Sequence, residues 1–173
     1  MQSIWSKDAL ARAPFIYMEE VTKETGAYTN YSNTIINGPD IYTIKNGYLD
    51  TPALIKIDDT GQEKLITRLP YETSDLQIHD GRLYWSEDKP DERWSMKSDS
   101  WIRSIRLDGK DKEKVSDKDI LLYNPSFSES RMAATRYFPE GGSAIYIDGQ
   151  TIMAPDGLQM VETAWIGETI YAT

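Results

Sequence analysis

Residues 120–149, ILLYNPSFSESRMAATRYFPEGGSAIYIDG, decide the fold. The polar turn 128–130 separates two runs of strand-forming residues, and residues 139–142 separate the second run from a third. Asp148-Gly149 then closes the third run, and Asp-Gly is a strong hairpin signal because Gly accepts a positive φ and Asp tolerates it. Three short strands divided by turns predict an antiparallel meander.

The same pattern recurs along the chain and predicts a repeated unit of four strands. The predicted third strands end at Asp58, Asp108 and Asp148, which lie 50 and 40 residues apart. Four-stranded propeller blades repeat every ~40–50 residues. We therefore predict an all-β fold in a single domain, residues 1–173: a partial β-propeller of about three and a half four-stranded blades.

The predicted blade boundaries follow from the turns. Blade one spans residues 1–70, with an insert at 22–52 and strands at 4–11, 15–21, 53–58 and 64–68. Blade two spans residues 71–119, with strands at 75–79, 82–86, 101–107 and 112–115. Blade three spans residues 120–158, with strands at 122–127, 132–138, 144–147 and 151–154. The half blade spans residues 159–173, with strands at 161–166 and 169–172. Residues 41–45 are a candidate for an additional strand within the insert.

Composition restricts the classes of partner. The chain has 173 residues, no cysteine and a net charge of −9. The acidic balance argues against binding of nucleic acid and of anionic membrane surfaces, because both are negatively charged. No segment approaches the ~20 apolar residues of a membrane span, so we expect no membrane contact by this segment.

The longest insertions are predicted on one face of the propeller. In a four-stranded meander, the links between second and third strands emerge at the same end as the links between blades. Insertions on one face often mark a binding face. We expect a peptide, glycan or protein ligand there. The candidate contacts are Tyr28, Tyr31, Tyr42 and Tyr48 in the insert of blade one, with Arg93 and Trp94 in the long link of blade two.

Catalytic and metal-binding patterns do not stand out in the sequence. His79 is the only histidine, and no Gly-x-Ser-x-Gly elbow accompanies it. A lone histidine cannot build a histidine-based zinc site, and the Asp-x-Asp-x-Asp-Gly pattern of calcium loops is absent. We predict no catalytic residue, no metal site and no cofactor.

A family resemblance follows from residues 124–149. Pro125-Ser126-Phe127-Ser128, followed by a turn and a strand of small residues, resembles the TolB-type propeller repeat. The turn Glu129-Ser130 departs from the Pro-Asp-Gly that is usual in that family. Residues 136–149 and residues 154–173 are also similar to the non-catalytic propellers of dipeptidyl peptidases. They are similar as well to the extracytoplasmic sensor region of membrane metallopeptidases of the beta-lactam-receptor class.

The resemblance implies an extracytoplasmic, non-catalytic sensor or interaction module of bacterial type. The alternative is the gating or substrate-binding propeller of a peptidase whose catalytic domain lies outside this chain. Three and a half blades are fewer than closed propellers contain. We therefore expect either a piece of a longer chain or two copies that complete a ring, and exposed end blades would favour self-association.

Overall fold

A computed structural model describes residues 29–47, 51–93, 98–116, 120–156 and 158–173. Within these ranges every regular element is a β-strand, and the strands form three four-stranded antiparallel sheets and one two-stranded sheet. The prediction of an all-β fold is confirmed. Across the same ranges, no helix has the length and apolarity to cross a bilayer.

Sheet one is a meander of β1 (Thr29–Asn37), β2 (Asp40–Gly47), β3 (Ala53–Ile57) and β4 (Glu63–Arg68). It differs from the predicted blade one, because β1 and β2 come from the segment that the sequence assigned to the insert at 22–52. The candidate strand at 41–45 lies within β2, and its residues pair with β3 from Ile41↔Ile57 to Lys45↔Ala53. The predicted strands at 4–11 and 15–21 lie outside the described residues.

The physical reason for this correction is the hairpin between β1 and β2. The two residues Gly38-Pro39 turn the chain between Asn37 and Asp40, which pair with each other, and Gly38 has φ +61°. Glycine is preferred at the first position of such a two-residue hairpin loop because it accepts a positive φ. Strand β1, TNYSNTIIN, is only partly buried and has a polar composition, so its sequence did not predict a strand.

Sheet two contains β5 (Glu72–His79), β6 (Arg82–Pro90), β7 (Ser98–Arg106) and β8 (Glu113–Lys114), paired in chain order. These strands coincide with those predicted for blade two. The turn at Asp80-Gly81 has both residues at positive φ, +43° and +71°. The hairpin signal in the sequence therefore reflects a left-handed turn.

Sheet three contains β9 (Leu121–Ser128), β10 (Arg131–Tyr137), β11 (Ser143–Ile147) and β12 (Gln150–Met153). The two-stranded half sheet contains β13 (Thr163–Ile166) and β14 (Thr169–Ala172). These strands also fall where the sequence predicts them. Within the described ranges, the C-terminal half of the chain is thus a series of hairpins whose strands follow one another in space as in sequence.

The sheets pack face to face through three successive apolar layers. The first, between sheets one and two, includes Tyr42, Leu54, Leu83, Trp85 and Ile105, each at most 2% exposed. The second, between sheets two and three, contains the buried side chains Ile102, Leu122, Ala134 and Tyr146. In the third, Ala133, Ile145 and Ile147 of sheet three meet Trp165 and Ile170 of the half sheet.

The first strands of successive sheets are also neighbours. Strand β1 contacts β5, β5 contacts β9, and β9 contacts β13. We call the end of the sheets where these four strands begin the entry end. The antiparallel order places the links between sheets, and the links between second and third strands, at this end as well.

Candidate ligand-binding site

The first strand of each four-stranded sheet carries a β-bulge at an Asn or Asp residue. The pairing register shifts between Ser32 and Ile35 in β1 and between Ser74 and Gln77 in β5. In sheet three, the register of β10 against β9 shifts between Ala133 and Thr135. The bulge residues, all with positive φ, are Asn33 (+49°), Asp75 (+58°) and Asn124 (+53°).

Such a bulge bends the strand and changes the direction of the side chains that follow it. Non-glycine residues with positive φ are strained, and Asn and Asp tolerate this conformation best because their short polar side chains bond locally. Strain of this kind occurs often at functional sites, where it is offset by the surrounding structure. The repetition of the bulge in three sheets makes it a regular feature of the fold.

Two of the bulges meet in a cavity at the entry end. It is open to solvent, has a volume of about 360 Å³, and lies where β5 of sheet two adjoins β9 of sheet three, with Tyr137 of β10 in its lining. A volume of this size is within the range of small-ligand sites, about 300–1,000 Å³. The cavity is lined by Ser74, Asp75, Leu121, Tyr123, Asn124 and Tyr137.

Hydrogen bonds fix the bulge of β9 to sheet two and to the segment that precedes β13. The backbone N–H of Asn124 donates to Oγ of Ser86 in β6 at 3.1 Å, and its side-chain Nδ2 donates to the carbonyl of Val161 at 3.0 Å. The hydroxyl of Thr135 donates to the same carbonyl at 3.1 Å. The wall of the cavity formed by Asn124 is therefore fixed by bonds to sheet two and to the segment that precedes β13.

The bulge of β5 presents a carboxylate to the cavity. The hydroxyl of Ser74 donates to Oδ2 of Asp75 at 2.7 Å. Within the described ranges, Oδ1 of Asp75 accepts no hydrogen bond, and no Lys or Arg forms an ion pair with this carboxylate. Asp75 is also the only lining residue with a formal charge.

Two tyrosines form the aromatic wall of the cavity. The rings of Tyr123 and Tyr137 meet edge to face, with centroids 5.3 Å apart at 84°. Burial raises the pKa of Tyr137 above its ordinary value of 10.0, and Coulombic interactions with Tyr123 and Glu162 raise it further. The Tyr137 hydroxyl therefore keeps its proton at neutral pH and can donate a hydrogen bond.

Tyr31, a predicted contact residue, is engaged in a polar cluster on sheet one. Its hydroxyl donates to Oε1 of Glu63 at 2.5 Å, and the ammonium of Lys45 lies 2.6 Å from Oε2 of the same carboxylate. Burial raises the pKa of Tyr31, and its hydrogen bond to Glu63 raises it further. Tyr31 does not line the cavity at the entry end.

The other predicted contacts are divided between the core, a loop and the undescribed segments. Tyr42 is 2% exposed and packs in the layer between sheets one and two, where it offers no surface to a ligand. Arg93 is exposed just beyond the end of β6, on the side of the entry end. Tyr28, Tyr48 and Trp94 lie outside the described residues.

Neither the single histidine nor a cluster of metal-ligand side chains lies at this site. His79 lies at the opposite end of β5 from the cavity and stacks on Phe127 with centroids 4.7 Å apart. In the described part of the chain, no cluster of three or more His, Cys, Asp or Glu has the arrangement of a metal site. The cavity itself offers one carboxylate, one amide and three hydroxyl groups for binding.

A buried carboxylate in sheet two has a structural role. Glu87 is 1% exposed, and its Oε2 accepts from Nε1 of Trp101 at 2.5 Å and from Nε of Arg103 at 2.8 Å. These bonds satisfy one oxygen, whereas Oε1 has no partner among the described residues. Because Glu87 does not line the cavity at the entry end, we do not assign it to the ligand site.

Sequence reasoning missed Asp75, Tyr123, Asn124 and Tyr137 as site residues. They lie within strands, whereas the sequence predicted ligand contacts in the links between strands. The available signal was an Asn or Asp inside a strand-like run, since such residues are depleted in regular strands and favoured where φ is positive. Their convergence depends on how two sheets pack, which the local sequence does not specify.

Comparisons with known proteins do not assign a family. No protein-family model matches the chain, and no curated protein matches it.

Proposed function

We propose that this protein is a non-catalytic binding module on a TolB-like partial β-propeller, and that the cavity between β5, β9 and β10 is its ligand site. The observation that carries the proposal is the cavity of about 360 Å³ at the entry end, lined by two strained bulge residues and an aromatic pair. A peptide, glycan or protein segment reaching this end of the sheets would meet these side chains.

The packing of the sheets supports the propeller. Propeller blades are consecutive four-stranded meanders whose first strands surround a common axis. The contacts of β1 with β5, β5 with β9 and β9 with β13 fit this arrangement, as do the apolar layers between successive sheets. The propeller places the entry end on the face where the sequence predicts the binding loops.

Distances between spin labels test the propeller. The chain has no cysteine, so pairs of labels can be attached to Thr60→Cys, Lys110→Cys and Gln150→Cys, which are exposed and lie in or directly after the turns between third and fourth strands. Blades related by rotation about one axis should give similar distances for the two consecutive pairs. The distance between labels at 60 and 150 should be clearly shorter than the sum of the 60–110 and 110–150 distances. A 60–150 distance equal to that sum would indicate a linear stack and contradict the propeller.

Nuclear magnetic resonance titrations test the binding site. Two probe mixtures are used: capped tripeptides, and soluble oligosaccharides. We expect one of them to shift the backbone signals of Ser74, Asp75, Tyr123, Asn124 and Tyr137 before others. The variant Tyr137→Ala should lose the response, because it removes half of the aromatic wall.

The matched control is Tyr171→Ala, since Tyr171 is 53% exposed on β14 and does not line the cavity. This variant should respond like the wild type. Shifts that map to another surface, or no shift with either mixture, would count against the proposed site.

The extracytoplasmic location and the role as a sensor belong to the same proposal, and the likeness of residues 124–149 to TolB-type repeats supports them. Self-association through the end sheets stays a prediction. Ile166 and Tyr171 lie on the outward face of the half sheet, 67% and 53% exposed, and are the side chains that such an association would cover.

A further inference from the structure

The carboxylate of Asp75 differs from the charged groups that this chain pairs internally. The seven ion pairs of the described ranges join Lys or Arg to other carboxylates, including Glu63, Glu87 and Asp148. Asp75 receives one hydrogen bond, from Ser74, and faces a cavity that contains no other formal charge. Because a partly buried charge is stabilised by an opposite charge close to it, this position favours a cationic ligand.

The aromatic wall points to the same ligand chemistry. In seven places a described Lys or Arg lies over an aromatic ring at 4.9–5.9 Å from the centroid. The rings of Tyr123 and Tyr137 belong to none of these seven contacts. The faces of such rings attract cations through the ring quadrupole.

The hydrogen bond from Ser74 favours an ammonium over a guanidinium. A guanidinium is held best by both oxygens of a carboxylate at once. At Asp75 the Ser74 hydroxyl takes one acceptor position of Oδ2 and so competes with that geometry, whereas Oδ1 accepts no hydrogen bond from the described residues. An ammonium needs only Oδ1, because it is a compact point charge with rotatable donors. Leu121 supplies an apolar surface for the alkyl chain that carries it.

We infer that the cavity binds a primary alkylammonium group, with Oδ1 of Asp75 as the counter-charge, the rings of Tyr123 and Tyr137 around the cation and Leu121 against the alkyl chain. This inference rests on the proposed function and names the ligand class of the same site. The group can belong to a lysine side chain of a peptide or to a free alkylamine, and the two sources share the same chemistry at Asp75.

The test is a set of titrations followed by nuclear magnetic resonance at low salt. The probes are acetyl-Ala-Lys-Ala-amide, the same peptide with norleucine in place of lysine, the same peptide with acetyl-lysine, and 1-aminopentane. We expect the lysine peptide to shift the cavity signals and the two neutral peptides to bind at least tenfold more weakly. Binding of 1-aminopentane equal to that of the lysine peptide would identify the amine as the whole determinant. Tighter binding of the peptide would show that its backbone contributes.

Asp75→Asn isolates the charge, because Asn occupies the corresponding bulge in β1 and β9 and therefore fits the positive φ. A hydrogen bond to a charged group stabilises by about 1.5–3 kcal/mol, so this variant should weaken the lysine peptide about tenfold to a hundredfold. Asp111→Asn is the matched control: it removes the same charge at another residue with positive φ, +53°, outside the cavity. It should leave the affinity nearly unchanged.

Two outcomes would overturn the inference. One is equal affinity of wild type and Asp75→Asn for the lysine peptide, and the other is equal affinity of the lysine and norleucine peptides. If neutral peptides or oligosaccharides shift the cavity signals and the ammonium probes do not, the binding module stands and its cation specificity fails. If no probe shifts these signals, the proposed site itself fails.

Discussion

The interface between sheets one and two is mainly apolar, whereas that between sheets two and three is held partly by hydroxyl groups. The first contains nine buried apolar side chains, among them Tyr42 and Trp85. The second contains four, of which one is an alanine. In the second, Ser86 accepts from the backbone of Asn124, and Ser100, 2% exposed, donates to the carbonyl of Leu122 at 2.8 Å.

This difference shows how one repeat can serve two purposes. Apolar area removed from water stabilises a sheet interface by roughly 25 cal/mol per Å², but without directional preference. Hydrogen bonds contribute about 0.5–1.5 kcal/mol each and fix the positions of the groups that they join. The second interface can therefore hold two strained bulges around a cavity, while the first supplies more of the cohesion between sheets.

The largest expected effect is a difference between two leucines. Leu83 and Leu122 are each 0% exposed, one in each interface. We expect Leu83→Ala to lower the free energy of unfolding by about 3–5 kcal/mol and Leu122→Ala by about 2–3 kcal/mol, within the range known for buried leucines. The second loss is smaller because fewer large side chains surround the position. Urea denaturation measures both, and equal losses or the reverse order would contradict the contrast between the interfaces.

A smaller effect is expected from a hydroxyl that supports the site. Ser86 is 2% exposed, and Ser86→Ala leaves the N–H of Asn124 without its acceptor. An unsatisfied buried donor costs about 1–3 kcal/mol, and we expect a loss of about 1–2 kcal/mol. We also expect shifts in the backbone signals of the cavity. Ser116→Ala removes a comparable buried acceptor, that of the backbone N–H of Ile102, away from the bulge residues, and it should lower stability without moving those signals.

The contact between sheets one and two at the turn after β7 can be tested with two glycines. Gly109 (φ +86°) and Gly61 (φ +80°) share the left-handed conformation, so alanine at either is strained by about 1–2 kcal/mol. At Gly109 a Cβ would also lie 3.3 Å from the carbonyl oxygen of Ile66, whereas at Gly61 nothing lies within 4 Å. We expect Gly109→Ala to cost about 0.5–1 kcal/mol more than Gly61→Ala, as is usual for mild overpacking. Equal unfolding free energies of the two variants would show that β4 shifts to accommodate the added Cβ at no cost in stability.

The sequence predicted most strands because their signals are local. Hydrophobic alternation and Asp-Gly turns located β5 to β14, for example β12 at 150–153 against a prediction of 151–154. The same approach failed at β1, whose polar composition is typical of a loop although Gly38-Pro39 marked the hairpin. The repeated unit of four strands was predicted correctly, but the first two strands of sheet one were assigned to the wrong residues.

The candidate site was not predictable in the same way. Tyr31 and Tyr42 are two tyrosines of the same polar segment. Tyr31 nevertheless donates a hydrogen bond to Glu63, whereas Tyr42 is buried against sheet two. The face of a strand residue depends on register, and a shift by one position reverses it. The bulges at Asp75 and Asn124 are themselves register shifts, so the cavity that they line requires the paired strands to be known.

The smallest expected effect sets a baseline away from both interfaces, at the cluster of Tyr31, Lys45 and Glu63. Burial alone would raise the pKa of Glu63, but the hydrogen bonds from Lys45 and Tyr31 outweigh it and lower this pKa below 4.5. A lowered carboxyl pKa stabilises the folded state above the unfolded value, and that stability is lost as pH falls through the folded pKa. The hydrogen bond to Glu63 raises the pKa of Lys45, so its contribution is present at neutral pH and lost only as alkaline pH rises through that pKa.

Glu63→Gln keeps an acceptor for Tyr31 and removes the charge. The Lys45 and Glu63 side chains are 37% and 33% exposed, so solvent screening limits the pair to less than about 1 kcal/mol. We expect the difference in unfolding free energy between wild type and Glu63→Gln to be constant near neutral pH and to decline below about pH 4.5, the ordinary value for Glu. A pH-independent difference would mean that the packing of the Glu63 side chain, and not its charge, stabilises this face of sheet one.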